Sequence, residues 1–91
     1  MNRVWLFRCV NQSGETVATH VWQWRVEARD GTVSVSRRTF HTLPECVADA
    51  KLEGFMGEVD ATTGTFMTHY YEVQVGDFGD IVLRPRAQPN D

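Results

Sequence analysis

Cysteine is scarce in this chain, and no apolar run is long. With only Cys9 and Cys46 among 91 residues, we expect two reduced, buried thiols and no disulfide. No segment approaches the roughly 20 apolar residues of a membrane-spanning helix, and residues 1–8 lack the apolar core of a signal peptide. These absences lead us to expect a bacterial-type cytoplasmic protein that does not associate with membranes.

The motifs that carry enzymatic chemistry are also missing. None of the three histidines stands at a metal-ligand spacing from Cys, Asp or Glu, and the sequence has no Gly-x-Ser-x-Gly elbow and no glycine-rich phosphate loop. Cys46 lies early in a predicted helix near His41, where a helix dipole would lower its pKa, but it also belongs to an apolar stripe that would make it inert. We predict no catalytic residue, no cofactor, no metal site and no small-molecule ligand.

A hairpin and a helix between His20 and Gly54 organise the chain. Trp22, Trp24, Val26 and Ala28 alternate with polar residues, which predicts a strand with one buried face. Asp30-Gly31 is the preferred pair for a two-residue type I′ loop, in which both residues need φ > 0. That loop would place Ala28 opposite Val33, Val26 opposite Val35, and Trp24 opposite Arg37.

The helix is predicted from a capping box at Thr42-Leu43-Pro44-Glu45. The Thr42 hydroxyl would accept from the Glu45 N–H, and the Glu45 carboxylate would accept from the Thr42 N–H. An apolar stripe follows at helical spacing, and Gly54 is a suitable left-handed cap. A helix this short needs tertiary packing, so we expect it to lie on the tryptophan face of the hairpin. The stripe comprises Leu43, Cys46, Val47 and Ala50.

The remaining segments predict further strands. Val4 to Val10 alternates with Trp5, Phe7 and Cys9 on one face, and a weaker return strand is expected over residues 15–19. Residues 65–75 alternate again, with Tyr71, Val73 and Val75 facing the core, and residues 80–84 complete a third hairpin. The predicted fold is α+β, with an antiparallel sheet of about five to six strands and one helix on one face. Residues 1–84 would form a single domain, and residues 85–91 a flexible tail.

Charge is unevenly distributed, although the net charge is only −3. Residues 20–41 carry four arginines against two acidic residues, whereas residues 45–60 are acidic. Arginine, serine and glutamine on a protruding ribbon are residue types that contact phosphates and base edges, but polar residues also simply cover the wet face of a sheet. The candidate binding surface comprises Gln23, Arg25, Arg29, Ser34, Ser36, Arg37 and Arg38.

Residues 22–50 carry a family resemblance. The stretches Trp22-Gln23-Trp24-Arg25-Val26, Asp30-Gly31 and residues 40–50 (FHTLPECVADA) resemble the ββα unit of the small uncharacterised bacterial YegP-like family. This resemblance implies no known activity. The same stretch resembles the sheet-plus-helix DNA-binding domains of ethylene-response factors and of phage integrase arm-binding domains. That second resemblance implies DNA contacts from Arg25, Arg29 and Arg38.

The sequence therefore favours a binding protein over an enzyme. We expect a non-catalytic module that binds a protein partner or a second copy of itself through the hairpin face or a free sheet edge. The alternative is weak nucleic-acid binding through the arginine-bearing face of the 20–40 hairpin. The chain as a whole lacks the basic character that is typical of nucleic-acid-binding proteins.

Overall fold

One helix and two antiparallel sheets make up the computed structural model, which describes residues 3–13, 18–77 and 79–86. The predicted α+β class, with an antiparallel sheet and one helix, is confirmed. The elements in chain order are β1 (Val4–Ser13), β2 (Ala18–Glu27), β3 (Val33–Val35), α1 (Leu43–Leu52), β4 (Glu58–Val59), β5 (Phe66–Met67), β6 (Tyr71–Val75) and β7 (Ile81–Pro85).

The main sheet has five strands in the order β3-β2-β1-β7-β6, so that β1 is central and β3 and β6 are the edges. Strands β1 and β2 pair along their whole length, from Val4 opposite Glu27 to Ser13 opposite Ala18. The prediction of a separate return strand over residues 15–19 is wrong, because from Ala18 onward this segment belongs to the same strand as Trp22 and Trp24. Residues 14–17 lie outside the described part of the chain.

The loop between β2 and β3 differs from the prediction. Gly31 N–H donates to the Ala28 carbonyl at 3.0 Å and Ala28 N–H donates to the Thr32 carbonyl at 2.8 Å, which closes a three-residue loop. Gly31 has φ of +91°, and no described non-glycine residue has positive φ, so Asp30 does not adopt the conformation that a type I′ loop requires. Instead, the Asp30 carboxylate accepts from the Thr32 N–H at 2.9 Å. Hydrogen bonding from the Thr32 side chain, together with this backbone hydrogen bond, holds the pKa of Asp30 below its ordinary value.

The three-residue loop shifts β3 by one position against β2. Val35 lies opposite Arg25 and Val33 opposite Glu27, and both valines are exposed, at 51% and 42%. The predicted pairings of Val33 with Ala28 and of Val35 with Val26 are therefore wrong. The predicted pairing of Trp24 with Arg37 is also wrong, since Trp24 faces Ser36.

The helix begins and ends as predicted. Thr42 Oγ1 accepts from the Glu45 N–H at 3.3 Å, and Gly54 follows the helix with φ of +109°. The second half of the capping box differs, because the Glu45 carboxylate accepts from the Thr42 hydroxyl at 2.9 Å and not from its N–H. The predicted apolar stripe of the helix is buried on the tryptophan side of the sheet.

Aromatic side chains dominate the core. Trp5, Phe7 and Trp24 come from the sheet, while Phe55 follows the helix and stands edge-on to both Trp5 and Phe7 at about 5 Å between ring centroids. Trp22 is only partly buried against this cluster. Of the two thiols, Cys46 is buried as predicted and Cys9 is half-buried; both are free. The other buried members are Val26, Phe40, Leu43, Val47, Ala50, Tyr71, Ile81 and Leu83.

The predicted strand over residues 65–75 is interrupted. Phe66 and Met67 pair with β4 in a separate two-stranded sheet, and the chain then turns before β6 joins the main sheet. Tyr71 is buried, as predicted. The expected burial of Val73 and Val75 is wrong, because these side chains are 41% and 70% exposed. The predicted tail overlaps β7 at Pro85, and residues 87–91 lie outside the described residues.

Candidate binding groove and sheet edge

The predicted surface residues do not form one face. Gln23 and Arg25 lie on the side of β2 that faces away from the helix, and the shifted register places Val33 and Val35 beside Arg25 and Glu27 on that outer face. Arg29 is exposed in the loop. The other four residues, Ser34, Ser36, Arg37 and Arg38, lie on β3 or in the segment that leads from β3 to the helix.

Ser36 has a structural role in this segment. Its exposure is only 8%, so its expected position on the wet face is wrong. The Ser36 hydroxyl accepts from the Trp24 N–H at 3.3 Å and donates to the Arg38 carbonyl at 2.9 Å. Because Trp22 next pairs with Phe40, residues 37–39 bulge out opposite the single residue Gln23. The serine therefore stabilises a bulge that displays Arg37 and Arg38.

A groove of about 740 Å³ separates this bulge from the helix. Its floor includes Trp24. The two arginines of the bulge line it, together with the carboxylates of Asp49 in the helix and of Glu53 at the C-cap of the helix. The groove therefore presents both signs of charge. Its lining residues are Trp24, Ser34, Val35, Arg37, Arg38, Asp49 and Glu53.

Hydrogen bonding fixes the floor of the groove. The Trp24 indole Nε1–H donates to Asp49 Oδ2 at 2.8 Å, which joins β2 to the helix and holds one groove carboxylate in place. Arg38 lies over the Phe40 ring at 5.5 Å from its centroid, a distance typical of a cation–π interaction. In the described part of the chain the one ion pair joins Lys51 to Glu58, so neither groove arginine is neutralised by Asp49 or Glu53.

Cys46 is buried in the core and does not contribute a nucleophile to the groove. Burial and, to a lesser extent, the negative charge of Asp49 together raise the pKa of the Cys46 thiol to about 12. The effect of the helix N-terminus, which would lower the pKa, is outweighed. The thiol is therefore protonated at neutral pH.

The outer edge of β3 borders the same groove. Hydrogen bonds between Ala28 and Thr32 and between Trp24 and Ser36 show which residues of β3 face β2. Antiparallel ladders alternate, so Ser34 also points its backbone towards β2, while the N–H and C=O groups of Val33 and Val35 point away from the sheet. No described residue pairs with them. The sequence predicted a free sheet edge, but the predicted register placed the Val33 and Val35 side chains towards the core, whereas the observed register places them on the outer face.

The described residues contain no group of three or more His, Cys, Asp or Glu side chains arranged to hold a metal ion. Within the same residues, no helix has the length and apolar character needed to cross a membrane.

Comparison with protein-family models, with curated proteins and with solved structures found no significant match to this chain. The resemblance of residues 22–50 to the YegP-like family therefore stays a prediction.

Proposed function

We propose that this protein is a non-catalytic protein-binding module that accepts an extended segment of a partner as an additional strand on β3. The observation that carries the proposal is the open backbone edge of Val33 and Val35 beside a groove of mixed charge. Strand addition to a sheet edge supplies affinity through main-chain hydrogen bonds and specificity through pockets for alternate side chains.

The groove favours a partner segment that carries both signs of charge. In an added strand, every second side chain would point to the helix side of the sheet, where the groove lies. An acidic side chain there would meet Arg37 or Arg38, and a basic one would meet Asp49 or Glu53. Because these groups are not paired with each other, they can pair with a ligand without first breaking an ion pair. Charge complementarity of this kind mainly selects the correct partner and sets its register.

The nucleic-acid alternative has less support in the geometry. Arg25 lies on the outer face of β2 next to Val35, whereas Arg37 and Arg38 share their groove with two carboxylates. A phosphate backbone would meet both like and opposite charge in that groove.

Binding to generic duplex DNA at several salt concentrations tests this alternative. A DNA-binding face predicts a log–log slope near −0.9 per phosphate contacted, and replacement of Arg25, Arg29 and Arg38 together should flatten it. We expect no binding with such a slope. A steep slope that the triple variant abolishes would replace the protein-binding proposal with this one.

Selection of peptides from a displayed random library tests the primary proposal. We expect enrichment of extended sequences with acidic and basic residues two positions apart. Val35→Pro removes an outward-pointing N–H from β3 while leaving the ladder to β2 intact, so it should abolish binding. Val73→Pro makes the same change on the opposite edge and should leave binding unchanged.

Charge variants then test whether the selected peptides bind in the groove. Arg37→Glu and Asp49→Lys should each weaken the selected peptides and alter which charged residues are enriched. If no peptide is enriched, or if the enriched peptides bind Val35→Pro as well as the parent chain, the β3 edge is not the binding site.

A further inference from the structure

We infer that the chain forms a two-fold symmetric dimer in which β6 pairs antiparallel with β6 of a second copy. The two five-stranded sheets would then join into one continuous sheet of ten strands. This inference concerns the edge opposite β3, and it does not depend on the proposed peptide-binding function.

The outer backbone of β6 is open in the described structure. Gly76 N–H donates to the Asp80 carbonyl at 2.7 Å, and Arg86 N–H donates to the Tyr70 carbonyl at 2.8 Å. Since the ladder alternates, Glu72 and Gln74 also point their backbone groups towards β7, whereas those of Tyr71, Val73 and Val75 point outward. No described residue pairs with these outward groups.

The β6 sequence has few of the features that protect a free edge. Such edges are usually protected by charged side chains, proline, a bulge or a very short strand, whereas β6 has five regularly paired residues, Tyr-Glu-Val-Gln-Val, with one charge, at Glu72. The exposed Val73 and Val75 side chains lie on the helix side of the sheet, opposite the buried Leu83 and Ile81 of β7. The core face of the sheet therefore continues to this edge without a cover.

The outward groups restrict how a second β6 can pair. Only registers that bring odd-numbered residues opposite odd-numbered residues form hydrogen bonds, and the register centred on Val73 is the one that pairs all five residues of β6. It places Val73 opposite Val73 of the second copy, Tyr71 opposite Val75, and Glu72 opposite Gln74. A register centred on Glu72 would bring two carboxylates face to face, and directly opposed like charges destabilise a strand pair.

The pairing centred on Val73 is self-complementary, which is the reason to assign a second copy as the occupant. Its three pairs on the helix side are apolar, and its pairs on the outer side join a carboxylate to a neutral amide. With a two-fold axis through Val73, both copies contribute the same surface to the contact, as an isologous interface requires. The β3 edge lacks these properties, because it has three residues and ends in a bulge with two arginines.

Molar mass measured over a concentration series tests the dimer. The parent chain should rise from 10.4 kDa towards twice that mass as its concentration increases to about 1 mM. Val73→Lys places two ammonium groups on the axis and should raise the dimer dissociation constant at least about tenfold. Val33→Lys is the matched control, since Val33 has nearly the same exposure on the other edge, and it should have no effect.

Charge complementation then tests the axis itself. A mixture of the Val73→Lys and Val73→Glu chains should form a heterodimer, although each chain alone should remain monomeric. Circular dichroism of each variant checks that it is folded, and Val75→Lys serves as a second variant should Val73→Lys not fold.

Cross-linking tests the register. In a Cys9→Ser background, a mixture of the Glu72→Cys and Gln74→Cys chains should form an intermolecular disulfide, because non-hydrogen-bonded pairs bring Cα atoms to about 4.5 Å. Either variant alone should cross-link poorly, since the like positions are diagonal partners about 7–8 Å apart. A chain that stays monomeric at about 1 mM, or a dimer that Val33→Lys disrupts and Val73→Lys does not, would overturn the inference.

Discussion

Two buried tryptophans of the core should lose very different amounts of stability on the same substitution. Trp24 donates its indole N–H to Asp49 at 2.8 Å, whereas Trp5 Nε1 has no acceptor among the described residues. Trp5 is nevertheless the more deeply buried of the two, at 0% exposure against 4%. A ranking by burial alone would therefore predict that Trp5→Phe is the more damaging change, and hydrogen bonding predicts the reverse.

The magnitudes follow from two contributions. Trp→Phe leaves a cavity of about 40 Å³, which at about 24 cal/mol per Å³ costs about 1 kcal/mol at either site. Loss of a hydrogen bond to a charged acceptor costs about 1.5–3 kcal/mol, and we take about 2 because Asp49 is half-buried. Trp24→Phe should thus lower the free energy of unfolding by about 3 kcal/mol. For Trp5→Phe, removal of an unsatisfied donor offsets the cavity, and we expect a change of about zero.

Urea unfolding followed by far-ultraviolet circular dichroism measures both effects without relying on tryptophan fluorescence. A double-mutant cycle of Trp24→Phe with Asp49→Ala isolates the hydrogen bond and should give a coupling free energy of about 2 kcal/mol. If Trp5→Phe destabilises the protein as much as Trp24→Phe, or if the coupling is below about 0.5 kcal/mol, the assigned role of the bond is wrong.

Two further predictions concern the loop and the buried thiol. Gly31→Ala should lower the free energy of unfolding by about 1–2 kcal/mol in the same urea assay, because φ at Gly31 is +91°. The added Cβ meets no atom within 4 Å, so this cost comes from the backbone conformation alone. Gly76→Ala, at a glycine without positive φ, should cost nothing, and equal losses would contradict this reasoning. In a Cys9→Ser background, Cys46 should react with a thiol reagent at pH 8 only on unfolding, since at a pKa of about 12 only about one thiol in ten thousand is ionised. Rapid modification of the folded chain would contradict the assignment. Because this pKa is above the ordinary value of 9.0, the stabilising effect of the neutral thiol is complete below about pH 9 and is lost as the pH rises towards 12. Cys46→Ala should reduce that loss of stability.

The sequence predicted the elements that the helix covers. The alternation of Trp5 and Phe7 identified the buried face of β1, and the stripe from Leu43 to Ala50 identified the buried face of the helix. In both cases one face is more deeply buried than the other, so that the pattern of apolar residues determines the orientation. Trp24 was placed correctly for the same reason.

The predictions that failed concern the two edge strands. Asp30-Gly31 is compatible with a two-residue loop, but that loop needs a left-handed Asp30, whereas the three-residue loop needs positive φ at Gly31 alone. Alternation in β3 did not decide between these loops, since all three of its residues are exposed in the observed register. The predicted burial of Val73 and Val75 also failed. Their spacing indicates a core face, but no described element covers that face at β6.

The dimensions of the helix explain why the helix side of the sheet is left without a cover at both edge strands. Ten residues of α-helix form a cylinder about 15 Å long and about 10 Å wide, whereas five strands about 4.8 Å apart span about 19 Å. One helix therefore covers about half of the sheet, and it lies nearest to β2. The uncovered margins are β3, where the gap beside the helix becomes the groove of mixed charge, and β6, where two valines remain exposed. Both proposed interfaces thus arise because a single short helix is too narrow for the sheet beneath it.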